Sequence, residues 1–506
     1  MKMSSSSAIS FSLFLLSSFL FFVANAKVPP SETFKFVNEG EFGPYVNEYD
    51  ANYRMLSIFN SPFQLAFYNT TPNAYTLALR LGLQRNEPLF LWVWEANRGK
   101  PVRENATFSL GTDGNLVLAE ADGTVVWQTN TANKGVVGFK LLSNGNMVLY
   151  DSKGKFIWQS FDYPTDTLLA GQSLRVGGVT KLVSRLSAEE NVDGPYSFVM
   201  EPKRAAMYYK SSNSPEPVLY FTSYDWFNAR DVSLQNVTFN SRPETDEAVA
   251  FVQTLDSSAN GNILARPKYD STISFLRLGI DGNLKIYTYY DKVDWGPTEV
   301  TFTLFDRDSI WENECQLPER CGKFGLCDEN QCVACPTEKG LLGWSKDCEP
   351  KKVTSCRPND FHYHKVEGVD HYMSKYTSGA AIKVEDCGRK CTSDCKCLGY
   401  FYHQETSRCW IAYDLKTLTK FPNSTHVGFI KAPNNATPFP CGKQQIYAQL
   451  IRARNVHHFS QSVGIRESYE GGSIVSHCLT QWYLCRTSLC HIRDSDSTTP
   501  EVEPPA

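Results

Sequence analysis

No cysteine precedes Cys315 and no histidine precedes His362 in this chain of 506 residues. The long N-terminal part thus holds no imidazole to serve as general base for a Ser or Cys nucleophile, which argues against a hydrolytic triad there. Without thiols it must hold itself together by core burial alone. An excess of one charge is also lacking: 50 Lys and Arg stand against 54 Asp and Glu, a net charge of −4, which gives no field to draw in nucleic acid or an anionic membrane. No Gly-rich phosphate loop leads into a plausible helix. Beyond the first 26 residues no apolar run approaches the ~20 residues needed to cross a bilayer. The expectation is a protein that is not an enzyme, with no cofactor, no metal, no nucleic-acid partner and no membrane span. His362-x-His364 and His371 have no matched His or Cys spacing and read as a plain surface strand. Glu189-Glu190 and the pair Asp306 and Asp308 read as solvated turn residues.

What is present is a repeat. Thr112-Asp113-Gly114-Asn115-Leu116-Val117-Leu118 returns as Ser143-Asn144-Gly145-Asn146-Met147-Val148-Leu149, 31 positions on. Each copy is a polar turn feeding an alternating apolar run, the pattern of a hairpin entering a half-buried strand. The Asp-Gly and Asn-Gly pairs predict type I′ turns, with positive φ at both central residues. Internal repeats fix architecture before chemistry. Three strand ends, Trp94-Glu95-Ala96-Asn97, Trp127-Gln128-Thr129-Asn130 and Trp158-Gln159-Ser160-Phe161, predict three equivalent sheets whose tryptophans meet at a shared centre. Short strands are expected at Phe63–Tyr68, Leu89–Trp94, Asn115–Leu118 and Val125–Trp127. Ile280-Asp281-Gly282-Asn283-Leu284-Lys285-Ile286-Tyr287 echoes the turn again, inside a second β-rich stretch with strands at Tyr196–Met200, Val218–Thr222 and Leu276–Leu278. A degenerate second copy of the first domain is the economical reading.

The sixteen cysteines lie between Cys315 and Cys490. Cys315, Cys321, Cys327, Cys332, Cys335 and Cys348 crowd into a knot. Cys356, Cys387, Cys391, Cys395, Cys397 and Cys409 follow around a short helix expected at Ala381–Lys390 and strands at Leu398–Tyr402 and Cys409–Ala412. The last four are Cys441, Cys478, Cys485 and Cys490. Six cysteines allow fifteen connectivities, so spacing assigns none. Disulfides need an oxidising compartment. The N-terminus supplies the route: Met1-Lys2-Met3, an apolar stretch Ile9–Val23, and the small-x-small end Ala24-Asn25-Ala26 of a signal peptide. Sequons at Asn69, Asn105, Asn236, Asn423 and Asn435 fit secretion; Pro438 disfavours the last.

From Val37-Asn38-Glu39-Gly40-Glu41-Phe42 through Trp158-Gln159-Ser160-Phe161-Asp162-Tyr163-Pro164-Thr165-Asp166-Thr167-Leu168-Leu169, the chain resembles plant bulb-type lectin proteins of the S-locus glycoprotein group, closest to the epidermis-specific secreted glycoproteins. The resemblance covers roughly residues 27–432. It implies a mainly β fold: tandem β-prism domains, an EGF-like cysteine-rich module and a PAN/apple α+β module. The implied units are 1–26 signal peptide, 27–170 lectin domain, 171–312 second lectin-like domain, 313–350 EGF-like module, 351–432 PAN/apple domain and 433–506 an atypical tail, expected to be disordered. Cys332 and Cys335 enclose two residues where an EGF-like module usually has one.

The family's mannose site follows Gln-x-Asp-x-Asn-x-Val-x-Tyr. Alternate residues of one strand share a face, so its polar side chains can converge on one sugar while Val packs beneath the ring. Here the first copy supplies Asp113, Asn115 and Val117, with Gly111 and Ala119 in the Gln and Tyr positions. The second supplies Asn146, Val148 and Tyr150, with Leu142 and Asn144 for Gln and Asp. The third matches at Asp281, Asn283 and Tyr287 but has Gly279 and Lys285. Each set is degenerate. The expected function is a secreted lectin-like glycoprotein of the plant cell wall or apoplast, with mannose-type glycans as partners and Asp113, Asn115, Val117, Asn144, Asn146, Val148 and Tyr150 as candidate contacts. The alternative is a soluble interaction module, related to S-locus receptor ectodomains, that binds a peptide or receptor through the second lectin-like and PAN domains.

Overall fold

The computed structural model describes residues 27–82, 89–227, 232–245, 250–269, 273–294, 296–309 and 311–434. The signal peptide, the tail, its four cysteines and Asn435 lie outside the described residues. The described chain is mainly β, as the alternating patterns require. Strands such as Thr107–Leu110 bury every second residue, because successive side chains point to opposite faces of a sheet.

The first unit is a three-sided prism. One side orders the strands Val46–Asn47, Leu89–Glu95, Thr76–Leu81, Phe63–Asn69 and Asn52–Asn60; the second Phe34–Val37, Thr107–Leu110, Leu116–Ala119 and Val125–Gln128; the third Val136–Leu141, Met147–Asp151 and Phe156–Gln159. The three tryptophans meet as the repeat predicts. Trp94, Trp127 and Trp158 lie with ring centroids 6.0, 6.4 and 5.9 Å apart, each pair edge to face. Such contacts add about 0.5–1.5 kcal/mol per pair beyond the area they bury. Around them pack Leu79, Phe108, Leu118 and Leu149, all removed from solvent.

A second unit repeats the plan with three four-stranded sheets. Their orders are Thr167–Leu169, Ser274–Leu278, Leu284–Tyr289, Thr298–Thr303; Ser173–Arg175, Asn236–Pro243, Phe251–Ser257, Gly261–Ala265; and Lys181–Arg185, Asp193–Met200, Ala205–Tyr209, Val218–Thr222. The strand Thr167–Leu169 precedes residue 170 in sequence yet pairs with Ser274–Leu278 of this unit. Phe198, Tyr220, Leu276 and Ile286 fill its centre.

Buried arginines tie the two prisms. Arg185 donates to the Tyr68 hydroxyl at 2.7 Å, and Arg98 bridges Glu95 at 2.6 Å and Asp166 at 2.8 Å. Asp166 belongs to the Trp158–Leu169 signature run, as do Tyr163, whose carbonyl accepts from Trp94 Nε1 at 3.0 Å, and Asp162, which pairs with Arg175 at 2.8 Å. That run is the joint between the prisms.

The cysteine-rich part builds two five-stranded sheets and the helix Val384–Ser393. The helix starts three residues later than the sequence predicts, since Lys383 is still extended at ψ 156°. Six disulfides connect Cys315 with Cys327, Cys321 with Cys332, Cys335 with Cys348, Cys356 with Cys395, Cys387 with Cys409 and Cys391 with Cys397. The knot does not stand alone: its strand Phe324–Asp328 runs parallel to, and pairs with, Lys416–Lys420.

Candidate functional site

Both repeat copies place their turn between two antiparallel strands, but the turn differs from expectation. Gly114 and Gly145 take φ of +80° and +84°, whereas neither Asp113 nor Asn144 is at positive φ. Gly114 N–H donates to Gly111 O at 3.0 Å and Gly111 N–H to Asn115 O at 3.4 Å. This is a type I turn closed by a glycine in the left-handed region, not a type I′ turn. The glycines are required twice over, because a Cβ at Gly114 would stand 2.7 Å from Val136 Cβ and one at Gly145 2.8 Å from Leu169 Cδ1.

The turn geometry decides what the polar side chains can do. Asp113 Oδ1 accepts from Asn115 N–H at 3.1 Å, and Asn144 Oδ1 from Asn146 N–H at 3.2 Å. Asn115 is buried; its amide donates to Gln128 at 2.7 Å, and its oxygen accepts from Thr129 Oγ1 at 3.2 Å and Thr131 N–H at 3.1 Å. Asn146 repeats this with Gln159 at 2.9 Å, Ser160 Oγ at 3.3 Å and Phe161 N–H at 3.2 Å. In the third copy Asn283 donates to Phe305 O and accepts from Phe305 N–H, both at 3.0 Å. The repeated asparagine clamps the end of the sheet's last strand; its hydrogen bonds are committed inside the protein.

The remaining candidates scatter. Asp113 is exposed and Val117 half-buried, with Ala119 buried where the pattern has Tyr. Val148 is buried. Tyr150 covers Gly138, where a Cβ would meet its hydroxyl, and Lys140 Nζ sits 4.7 Å from its ring. Asn144 edges a crevice of about 290 Å³ shared with Asn240 and Ser241 of the second prism. Neither copy gathers a complete polar set.

The third copy is different, and it was only an echo in the sequence. Asp281, Asn283, Lys285 and Tyr287 line a groove of about 680 Å³, closed on the far side by Glu314, Leu317, Glu319 and Arg320 from the cysteine-rich knot. Its charges are held in pairs: Lys285 to Asp281 at 2.9 Å, Arg320 to Glu314 at 2.8 Å, and Glu319 to Lys416 and the Tyr196 hydroxyl, at 2.8 Å for the latter. Burial pulls the Lys285 ammonium down, but Asp281 outweighs it and the net shift is upward. Burial and then Glu319 push the Tyr196 phenol well up, so it stays a donor. Tyr287 stacks on Phe275 with centroids 5.1 Å apart, while Ile280 and Val300 give exposed apolar rims.

The matched family model is that of the D-mannose binding lectin, over residues 91–189. EP1-like glycoprotein 3 of Arabidopsis thaliana is 51% identical over 442 residues, covering 86% of this chain and 98% of that protein. The epidermis-specific secreted glycoprotein EP1 of Daucus carota is 60% identical over 361 residues, 67% of this chain and 92% of that one. The chain belongs to the EP1-like glycoprotein family. It is thus a secreted, lectin-like glycoprotein, and no helix among the described residues is long and apolar enough to cross a membrane. Among solved structures, the fetuin-binding two-domain lectin of Scilla campanulata matches 54% of this chain and 99% of that chain at 15% identity and a TM-score of 0.17.

Other predicted residues of this EP1-like chain fall as follows. Of the sequon asparagines, Asn105 is exposed, Asn236 and Asn423 half-buried, and Asn69 buried at 4% exposure. His362 and His364 share the strand Phe361–Glu367. His371 is no surface residue: it is buried, donates to Asp414 O at 2.9 Å, and burial holds its pKa down to about 4.

Proposed function

We propose that this EP1-like protein is a non-enzymatic glycan-binding glycoprotein of the cell wall or apoplast, and that its principal carbohydrate contact is the groove over Asp281, Lys285 and Tyr287. The observation that carries this reading is the groove's composition. Paired carboxylates and cations present donors and acceptors at fixed positions, as sugar hydroxyls require, and apolar flanks at Ile280, Val300 and Leu317 suit the ring faces. The first two copies lack two of the four polar positions each, and the asparagine of each copy is committed inside the protein; at ~1 kcal/mol per hydrogen bond, that weakens a shallow site tenfold or more. Affinity at those copies then comes from several sites acting together.

The test is a glycan array probed with the mature glycoprotein, displayed multivalently. Binding to mannose-type or other neutral oligosaccharides that falls at least tenfold in Lys285→Ala combined with Arg307→Ala, Arg307 being a further cation lining the groove, and little in Asp113→Ala, supports the groove. No binding at all refutes the lectin reading.

A protein-interaction role has one observation in its favour. The edge strand Gly340–Gly343 is exposed along its whole length, and Leu341 and Leu342 are 57% and 60% exposed. Such an edge can accept an extended peptide as an added strand, which fits the EGF-like and PAN/apple modules that the cysteine pattern resembles.

A further inference from the structure

Two strand ends and the middle of a short strand in the last module bring together two imidazoles and a carboxylate. Asp370 lies in Val369–His371, His403 ends Gly399–His403, and His426 begins His426–Pro433. His403 and His426 are direct partners in an antiparallel ladder, and their rings stack with centroids 3.7 Å apart. Asp370 belongs to the other five-stranded sheet. Its Oδ1 stands 2.8 Å from His403 Nε2 and its Oδ2 3.1 Å from His426 Nδ1. One ligand atom from each of the three lies within 4.8 Å of the others.

We propose that Asp370, His403 and His426 form a binding site for a divalent transition-metal ion of the zinc class. The donor set selects the metal. Imidazole nitrogen suits Zn²⁺ and its neighbours, whereas Ca²⁺ and Mg²⁺ need oxygen ligands. Thiolate competition is removed nearby, because all twelve cysteines from Cys315 to Cys409 are in disulfides. Metal–ligand bonds of about 2.0–2.2 Å place neighbouring ligand atoms roughly 3.3 Å apart in a tetrahedral shell. Asp370 meets each imidazole through a different oxygen, at 2.8 and 3.1 Å, and with one ligand atom from each residue within 4.8 Å of the others, small side-chain adjustments close the set on one ion.

The surroundings hold the rings in place. Phe421 stacks on the outer face of His426 at 3.8 Å and 6°, and Trp410 packs against His403 at 4.4 Å. Strand-borne ligands with locked rings require little rearrangement on binding. The three side chains keep 13–16% exposure, so an ion has a path in and a fourth position open to water. The ion would bridge the two sheets of the module at a point that no disulfide crosses: Cys391–Cys397 and Cys387–Cys409 lie around the helix Val384–Ser393 instead. The sequence hides the site because its ligands are 33 and 23 positions apart, with no short-range motif.

The test uses the full mature glycoprotein, stripped with a chelator and titrated with ZnCl₂. Other histidines, including His457 and His458, can also take up zinc, so the signal is the difference between wild type and Asp370→Asn. Wild type should show one additional saturable site and a rise in Tm of several degrees with Zn²⁺, both lost in Asp370→Asn and in His403→Gln. Equal binding in wild type and variants overturns the proposal. Should a variant misfold, wild type alone decides: peptide mapping after diethyl pyrocarbonate treatment should show His403 and His426 protected by Zn²⁺. Modification of both at the same rate with and without Zn²⁺ overturns the site.

Discussion

Arg277 of the second prism donates from Nη1 to Glu48 Oε1 of the first at 2.6 Å, with the arginine side chain only 4% exposed. Its Nε also donates to Thr167 Oγ1 at 3.1 Å, and the main-chain carbonyl of Trp92 accepts from Nη2. Removing one partner of such a pair strands a charge in the interior. Arg277→Ala should therefore lower unfolding stability by about 3–5 kcal/mol, read by chemical denaturation. Arg277→Met with Glu48→Leu, which removes both charges and keeps the volume, should recover much of that loss. A single Arg277→Ala that matches wild type would show the joint to be passive.

The same joint predicts a pH dependence. Burial alone would raise the Asp166 carboxyl, but Arg98 and Arg277 outweigh it and hold the acid below its usual range. A carboxylate whose native pKa is depressed contributes stability above its unfolded value, near 4, and that stability is lost as pH falls through the lower native value. Stability should thus fall on acidification below about pH 4, with a shallower slope in Asp166→Asn, which starts from a lower stability at neutral pH. Identical slopes would remove Asp166 from the acid response.

Asn115 and Asp113 sit two residues apart in one turn and should behave differently. Asn115→Ala removes three bonds from a buried clamp and leaves the Thr131 N–H without its acceptor, at a cost of about 2–3 kcal/mol. Asp113→Ala loses one partly buried contact from an exposed side chain to Asn115 N–H, about 1 kcal/mol or less. Thermal unfolding of the two variants separates a structural asparagine from a ligand: if Asn115→Ala leaves Tm unchanged, the clamp is not holding the strand.

Glycosylation should follow exposure. Asn105 is exposed and sits at a φ of +62°, so its sequon should be occupied in nearly all molecules. Asn69 ends a strand with its side chain inside and should carry little glycan. Peptide mass spectrometry after enzymatic deglycosylation in ¹⁸O water reads both occupancies; full occupancy at Asn69 would mean that this strand end opens during secretion.

The tryptophan centre was legible because each sheet of the first prism carries tryptophan as the penultimate residue of its last strand, and a repeat in sequence becomes a symmetry in space. Helix Val384–Ser393 was legible from Cys387 and Cys391 one turn apart. The turn type was misread because Asp-Gly favours type I′ only when two residues span the strands. Here three do, and only the glycine needs positive φ. The groove at Asp281 was half legible: its turn repeats the others, but Glu314, Glu319 and Arg320 arrive from the knot and no local pattern announces them. Nothing in the sequence singles out Arg98, Arg185 and Arg277, since what buries them is the docking of one prism on another.

The parallel pairing of Phe324–Asp328 with Lys416–Lys420 bears on how such a protein can change over generations. A cassette that closes on itself can be cut from one gene and inserted in another. Here the cysteine knot borrows a neighbour strand from some ninety residues downstream, so the two segments must be inherited together. A shortened transcript ending before Lys416 would encode a knot with a raw β-edge, open to the next molecule it met.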